Sequence, residues 1–199
     1  PATGEAHVVI STEPMDGRLI RVRMPLDRDR YHSVRADGEL SRDGDDYTWE
    51  VPREGGTLQY RVRIDHERRG DGYDARITRD WALLRGDDLF PPLQATVTRG
   101  ADARARLRFA LPKGWSAEAP YGRSNDAKAY VIVDPERRMD RPEGWMIFGN
   151  LGVRVVEREG RRQRTRSLPA IGLARVEVAP RLELGVFDIG HDLEGGGAV

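Results

Sequence analysis

Apolar and polar residues alternate with a period of two along most of this chain. The clearest run is 57–66, where Leu58, Tyr60, Val62 and Ile64 point one way and Gln59, Arg61, Arg63 and Asp65 the other. That is the pattern of a strand half-buried in an antiparallel sheet. Residues 19–24 alternate similarly, and further strands are predicted at 6–10, 47–51, 74–79, 95–99, 104–111, 129–133, 146–148, 153–159, 162–168, 174–178 and 182–187. Turn dipeptides separate them: Asp16-Gly17, Asp37-Gly38, Asp43-Gly44, Gly55-Gly56, Lys113-Gly114 and Glu159-Gly160. Glu159-Gly160-Arg161, between two such runs, marks a hairpin tip. Many short strands so punctuated predict an all-β fold, an antiparallel β-sandwich or a distorted barrel-like variant with little helix. The segment 81–84 is read as a single helical turn. Residues 5–187 are taken as one β-sandwich domain, and 188–199, with Gly195-Gly196-Gly197, as a flexible C-terminal tail.

Charge narrows the partners. Basic and acidic residues balance at 33 each, whereas nucleic acid or an anionic membrane surface selects a net basic face. Only Lys113 and Lys128 are lysine; the arginine bias is read as ancestry. No apolar run approaches the roughly 20 residues that span a bilayer, so no membrane insertion is expected. The absence of cysteine removes disulfides, thiolate metal sites and cysteine nucleophiles. A start at Pro1-Ala2-Thr3 without Met fits processing or trimming, and an exported, periplasmic setting is the expectation drawn from it.

Motifs for chemistry are sparse. The histidines are His7, His32, His66 and His191, and none forms a His-Glu-x-x-His pair. Asp65-His66-Glu67 clusters ligand types, but neighbours in a strand point to opposite faces, so no metal is assigned. Gly-x-Ser-x-Gly is absent around Ser11, Ser33, Ser41, Ser116, Ser124 and Ser167. An enzyme would require His66 or His32 converging with carboxylates in a pocket. The acidic loops Asp43-Gly44-Asp45-Asp46, Asp71-Gly72-Tyr73-Asp74 and Gly86-Asp87-Asp88 lack calcium-loop spacing and read as turns. Arg69-Gly70-Asp71 and Arg85-Gly86-Asp87 spell an adhesion tripeptide and are assigned to chance. No phosphate-binding glycine loop occurs, and no catalytic residue or cofactor is assigned. Among the tryptophans, Trp49, Trp115 and Trp145 are placed in the core. Trp81 is placed at the surface, where it and Tyr73 are the candidate ligand or partner contacts.

The order of landmarks resembles the N-terminal β-domain of the glycyl-aminopeptidase family of zinc metallopeptidases, often PDZ-containing. The landmarks are Trp49-Glu50-Val51, Leu58-Gln59-Tyr60-Arg61-Val62, Leu111-Pro112-Lys113-Gly114-Trp115, Tyr130-Val131-Ile132-Val133-Asp134-Pro135 and Gly144-Trp145-Met146-Ile147-Phe148-Gly149, spread over about 100 residues. Arg23-Met24-Pro25-Leu26 stands where that family usually has a Pro/Trp/Gly-rich turn. The resemblance implies a following helical domain with His-Glu-x-x-His, which this chain lacks, so no zinc ligand is carried over to any position. The expected function is a non-catalytic β-sandwich that docks to, and shapes the cleft of, a peptidase-like domain of the same polypeptide, possession of zinc aminopeptidase-like activity falling to that parent. Residues 173–187 are the expected docking side. The rival is a stand-alone envelope module that binds peptide or glycan through Trp81 and Tyr73.

Overall fold

The computed structural model describes residues 4–12, 18–68, 72–99, 105–125, 129–133, 140–158, 161–167 and 182–189, and for 66–68, 72–74, 153–158, 161–167 and 182–189 the backbone only. In chain order these form β1 (Glu5–Thr12), β2 (Leu19–Pro25), β3 (Tyr31–Ala36), β4 (Glu39–Asp43), β5 (Asp46–Glu50), β6 (Gly56–Arg63), β7 (His66–Arg68), β8 (Gly72–Ile77) and β9 (Trp81–Arg85). A one-turn helix α1 (Gly86–Leu89) follows. The rest are β10 (Gln94–Val97), β11 (Ala105–Ala110), β12 (Ser116–Glu118), β13 (Gly122–Arg123), β14 (Tyr130–Ile132), β15 (Trp145–Gly149), β16 (Gly152–Arg158), β17 (Arg161–Ser167) and β18 (Leu182–Ile189).

The fold is all-β and sandwich-like, and none of the described sheets closes into a barrel. A seven-stranded sheet runs β13-β14-β11-β18-β1-β6-β3, a four-stranded sheet β10-β2-β5-β4 and a five-stranded sheet β12-β15-β9-β8-β7. β16 and β17 make a separate hairpin, pairing Arg158 with Arg161 around the expected tip. The pairings are antiparallel except that of β18 with β1, because β18 enters the gap between β1 and β11 and can oppose only one of them.

Period two explains the core. Ala6, Val8 and Ile10 of β1, Leu58, Tyr60 and Val62 of β6, Val22 and Met24 of β2, and Trp49 of β5 share one buried cluster. Burying Trp49 obliges its Nε1–H to find an acceptor, and it donates to the Asp37 carbonyl at 2.7 Å. Phe109 on β11 meets Tyr130 on β14 and Phe148 on β15 edge-to-face, at 5.6 and 4.9 Å between centroids, and so joins the seven- and five-stranded sheets. Asp43-Gly44 is a hairpin turn with Gly44 at φ 61°, and its neighbours Asp45 and Asp46 pair with Arg28 and Arg23.

Two expectations are corrected, and a third is located. The segment from Trp81 is strand β9, not a helical turn: Ala82 and Leu84 are buried while Leu83 is exposed, and helix begins only at Gly86. The last strand runs to Ile189, two residues into the expected tail, because β1 and β11 both offer partners there. The third concerns the expected docking side. Its part from Leu182 lies inside the seven-stranded sheet with both hydrogen-bonding edges taken, which leaves its two faces for any contact with another domain. Residues 173–181 and 190–199 lie outside the described residues.

Candidate functional site

The outer face of the five-stranded sheet gathers apolar side chains that the core does not use. In β9, Ala82 and Leu84 turn inward, which turns Trp81, Leu83 and Arg85 outward. In β15, Met146 and Phe148 turn inward, which leaves Trp145 and Ile147 outward. Antiparallel register sets Trp145 beside Arg85, Ile147 beside Leu83 and Gly149 beside Trp81. The Leu83–Ile147 row is flanked by Arg76 of β8 and Glu118 of β12. Trp145 is 51% exposed and Leu83 36%, and Trp81 and Ile147 are half-buried. Four residues of strand separate Trp81 from the Trp145 row, about 13 Å.

Local geometry brings β9 and β15 close together at Trp81. Gly149, at φ 145°, has no room for a side chain: a Cβ there would lie 2.6 Å from the Asp80 carbonyl oxygen and 3.1 Å from Trp81 Cα. Trp81 therefore rests against bare backbone. At the other end the Arg85 guanidinium lies 5.9 Å from the Trp145 ring centroid, within cation–π range.

Beneath Trp145, the Arg85-Gly86-Asp87 segment is a structural junction rather than a free loop. The Gly86 N–H donates to the Gly144 carbonyl at 2.8 Å, and the Gly144 N–H donates to Asp87 Oδ2 at 3.1 Å. Arg85 also reaches Asp87 Oδ2, and Arg141 lies 3.7 Å from Asp87 Oδ1 and 2.6 Å from Glu143. Tyr121 exchanges hydrogen bonds with the Glu143 backbone. Burial pushes the Asp87 carboxyl up, but the Gly144 N–H and Arg85 outweigh it, and the net shift is downward. The carboxylate an adhesion receptor would need is thus consumed internally. Arg69-Gly70-Asp71 lies outside the described residues.

Trp81, expected to be the exposed tryptophan, stands on the apolar face but is only partly exposed. Trp145, expected in the core, joins it there; its neighbours Met146 and Phe148 claim the inward positions, and alternation leaves Trp145 outside. Trp49 is buried and Trp115 packs partly against the core, as read. Tyr73 lies in β8 in register with Glu67, and its side chain falls outside the described residues, as does that of His66. Asp65 uses its carboxylate to accept the Ile77 N–H at 2.8 Å. Sequence reasoning missed Trp145, Leu83 and Ile147, although the alternation of 145–149 carried the signal.

His32 does meet a carboxylate. Its Nε2 lies 2.9 Å from Glu5 Oε1 and its Nδ1 3.0 Å from Ser33 Oγ, with Arg61 3.9 Å from Glu5 Oε2. Hydroxyl, imidazole and carboxylate thus stand in series. Ser33 is exposed, at φ 55° in a bulge of edge strand β3. Open to water, the chain of groups pins β3 across β6 to β1. Among the described residues, no group of three or more His, Asp or Glu is disposed to hold a metal ion.

No protein-family model matches this chain, and no curated protein matches it. Among solved structures, it is similar to an aminopeptidase N family protein from Idiomarina loihiensis, at a TM-score of 0.49 and 12% identity, over 81% of this chain and 32% of that one. The chain spans about a third of the length of that protein.

Proposed function

We infer that this chain is a non-catalytic β-sandwich module of a peptidase-like polypeptide, held against a neighbouring peptidase-like domain by the outer face of its five-stranded sheet. The observation that carries this reading is the contiguous face of Trp81, Leu83, Trp145 and Ile147, with Trp145 half in water. The order of landmarks from Trp49 to Gly149 supplies the peptidase-like direction. Size argues for a tethered partner. Four partly exposed side chains offer roughly 300–400 Å² of apolar surface, short of the ~800 Å² per partner of a stable interface between free proteins. A domain on the same polypeptide needs less, because the linker holds it at millimolar effective concentration.

Amide hydrogen exchange on this chain and on its full-length polypeptide tests the reading. Residues 81–85 and 145–149 are expected to exchange more slowly in the longer protein, and equal rates would remove the docking face. Peptide turnover by the isolated chain with added zinc would remove the non-catalytic assignment.

The second reading, a stand-alone binder of peptide or glycan, is favoured by two indoles on one face of the sheet. It predicts that short peptides or oligosaccharides quench tryptophan emission in the isolated chain, and that Trp145→Ser abolishes the quenching.

A further inference from the structure

Charge that balances over the whole chain is unevenly spread along it. Residues 152–167 hold six arginines against two glutamates, a net of +4, so the remainder holds 27 basic against 31 acidic residues, a net of −4. The basic stretch forms the β16–β17 hairpin, which pairs with none of the other described sheets. The hairpin's seven residue pairs extend over about 24 Å of strand. That exceeds the screening length of about 8 Å at physiological salt, so a partner at the hairpin meets the local charge rather than the whole-chain sum.

Register spreads this charge over both faces of the ribbon. Paired residues share a face, and successive pairs alternate between faces. Val153–Arg166, Val155–Arg164 and Glu157–Arg162 fall on one face, and Arg154–Thr165, Val156–Gln163 and Arg158–Arg161 on the other. Each face therefore has three arginines. Arginine is almost never buried without a partner, and the one glutamate among these pairs cannot match six. A ribbon basic on one face would suit a flat anionic surface. Basic on both, it suits a partner that encloses it and presents anionic groups on either side. The major groove of duplex DNA does so: about 12 Å wide, it admits a two-stranded ribbon between two phosphate backbones.

We propose that the β16–β17 hairpin binds duplex DNA in the major groove, its two basic faces set toward the two phosphate backbones. The attraction is between arginine and phosphate, so binding has little sequence preference and falls steeply with salt. The hairpin is separate from the face inferred to dock a neighbouring domain, so either assignment can fail alone.

The test is fluorescence anisotropy of a short labelled duplex DNA of mixed sequence, titrated with the whole 199-residue chain. Saturable, micromolar binding is expected at low salt. The slope of log K on log salt should be about −3.6, the value for about four neutralised phosphates. The triple variants R162Q/R164Q/R166Q and R154Q/R158Q/R161Q, one for each face, should each weaken binding at least about tenfold and make the slope shallower by about 2–3. Backbone amide shifts of the unsubstituted chain, followed by NMR as the same duplex is added, should concentrate at residues 152–167, a readout that needs no variant. The proposal is overturned if no binding appears at low salt, if the shifts fall elsewhere, or if only one face matters. Anionic lipid vesicles or polyglutamate binding as tightly as the duplex would overturn it too.

Discussion

At the scale of single residues, alternation decides which side chains are structural and which are available. Trp145 illustrates this: it follows a glycine at a strand entry, a common place for a core anchor, yet its phase puts it outside. Trp145→Ser should therefore cost about 1–2 kcal/mol in a denaturant titration, well short of the ~3–5 kcal/mol of truncating a core tryptophan. Gly86 is the opposite case. A Cβ there would lie 2.7 Å from Met146 Cε and 2.8 Å from the Glu143 nitrogen and the Pro142 carbonyl carbon. Two of those three atoms are backbone and cannot rotate away. Gly86→Ala should cost about 1–3 kcal/mol by overpacking, measured as a lower denaturation midpoint. Asp87 adds a pH dependence. Its folded pKa lies below the unfolded value near 4, so its contribution is complete above that value. The contribution disappears as pH falls through the lower folded value. Asp87→Asn should flatten this part of the acid limb of the stability profile; an unchanged limb would count against the Asp87 junction.

At the scale of elements, α1 is too short to be stable by itself and is held by tyrosines from the adjoining strands. The Tyr31 hydroxyl donates to the Asp88 carbonyl at 2.7 Å, and the Tyr60 hydroxyl donates to the Leu89 carbonyl at 2.6 Å. Their rings pack edge-to-face at 5.9 Å. Tyr60→Phe removes a donor and leaves a buried carbonyl without it, at an expected cost of about 1–3 kcal/mol in equilibrium unfolding. Burial raises the Tyr31 pKa to about 12 and raises that of Tyr60 well above its ordinary value. Both groups keep their protons longer in the folded state, so stability present below pH 10 should be lost between about 10 and 12. Phenolate absorbance followed against pH should show Tyr31 and Tyr60 ionising last, together with unfolding.

At the scale of the whole molecule, the two outward surfaces have different characters. The outer face of the four-stranded sheet is laced with ion pairs such as Arg21–Glu50 and Arg23–Asp46, and these exposed pairs suit contact with water. The outer face of the five-stranded sheet has indoles and aliphatics instead. A patch of this size is within the range of ordinary monomers, where such patches often mark contact sites. The hairpin of β16 and β17 pairs with no other described sheet. If, as proposed, this chain belongs to a longer polypeptide whose neighbouring domain covers the apolar face, Trp145→Ser should loosen that domain more than it destabilises the isolated chain. Limited proteolysis of the two full-length proteins, parent and variant, would show the difference at the junction, and identical digestion would remove the prediction.

The sequence by itself determined the strands whose period-two pattern is long and clean, such as β6, because half-buried strands need no distant information to set their phase. It also determined the glycine turns, where backbone geometry restricts the residue. Tertiary structure decided what depends on register between distant segments. Only pairing with β15 makes the short run from Trp81 a strand, and only that pairing brings Trp145 and Leu83 onto one face. Only the gap between β1 and β11 assigns β18 to the middle of a sheet. His32 and Glu5 meet across an intervening strand, a juxtaposition that spacing along the chain cannot encode.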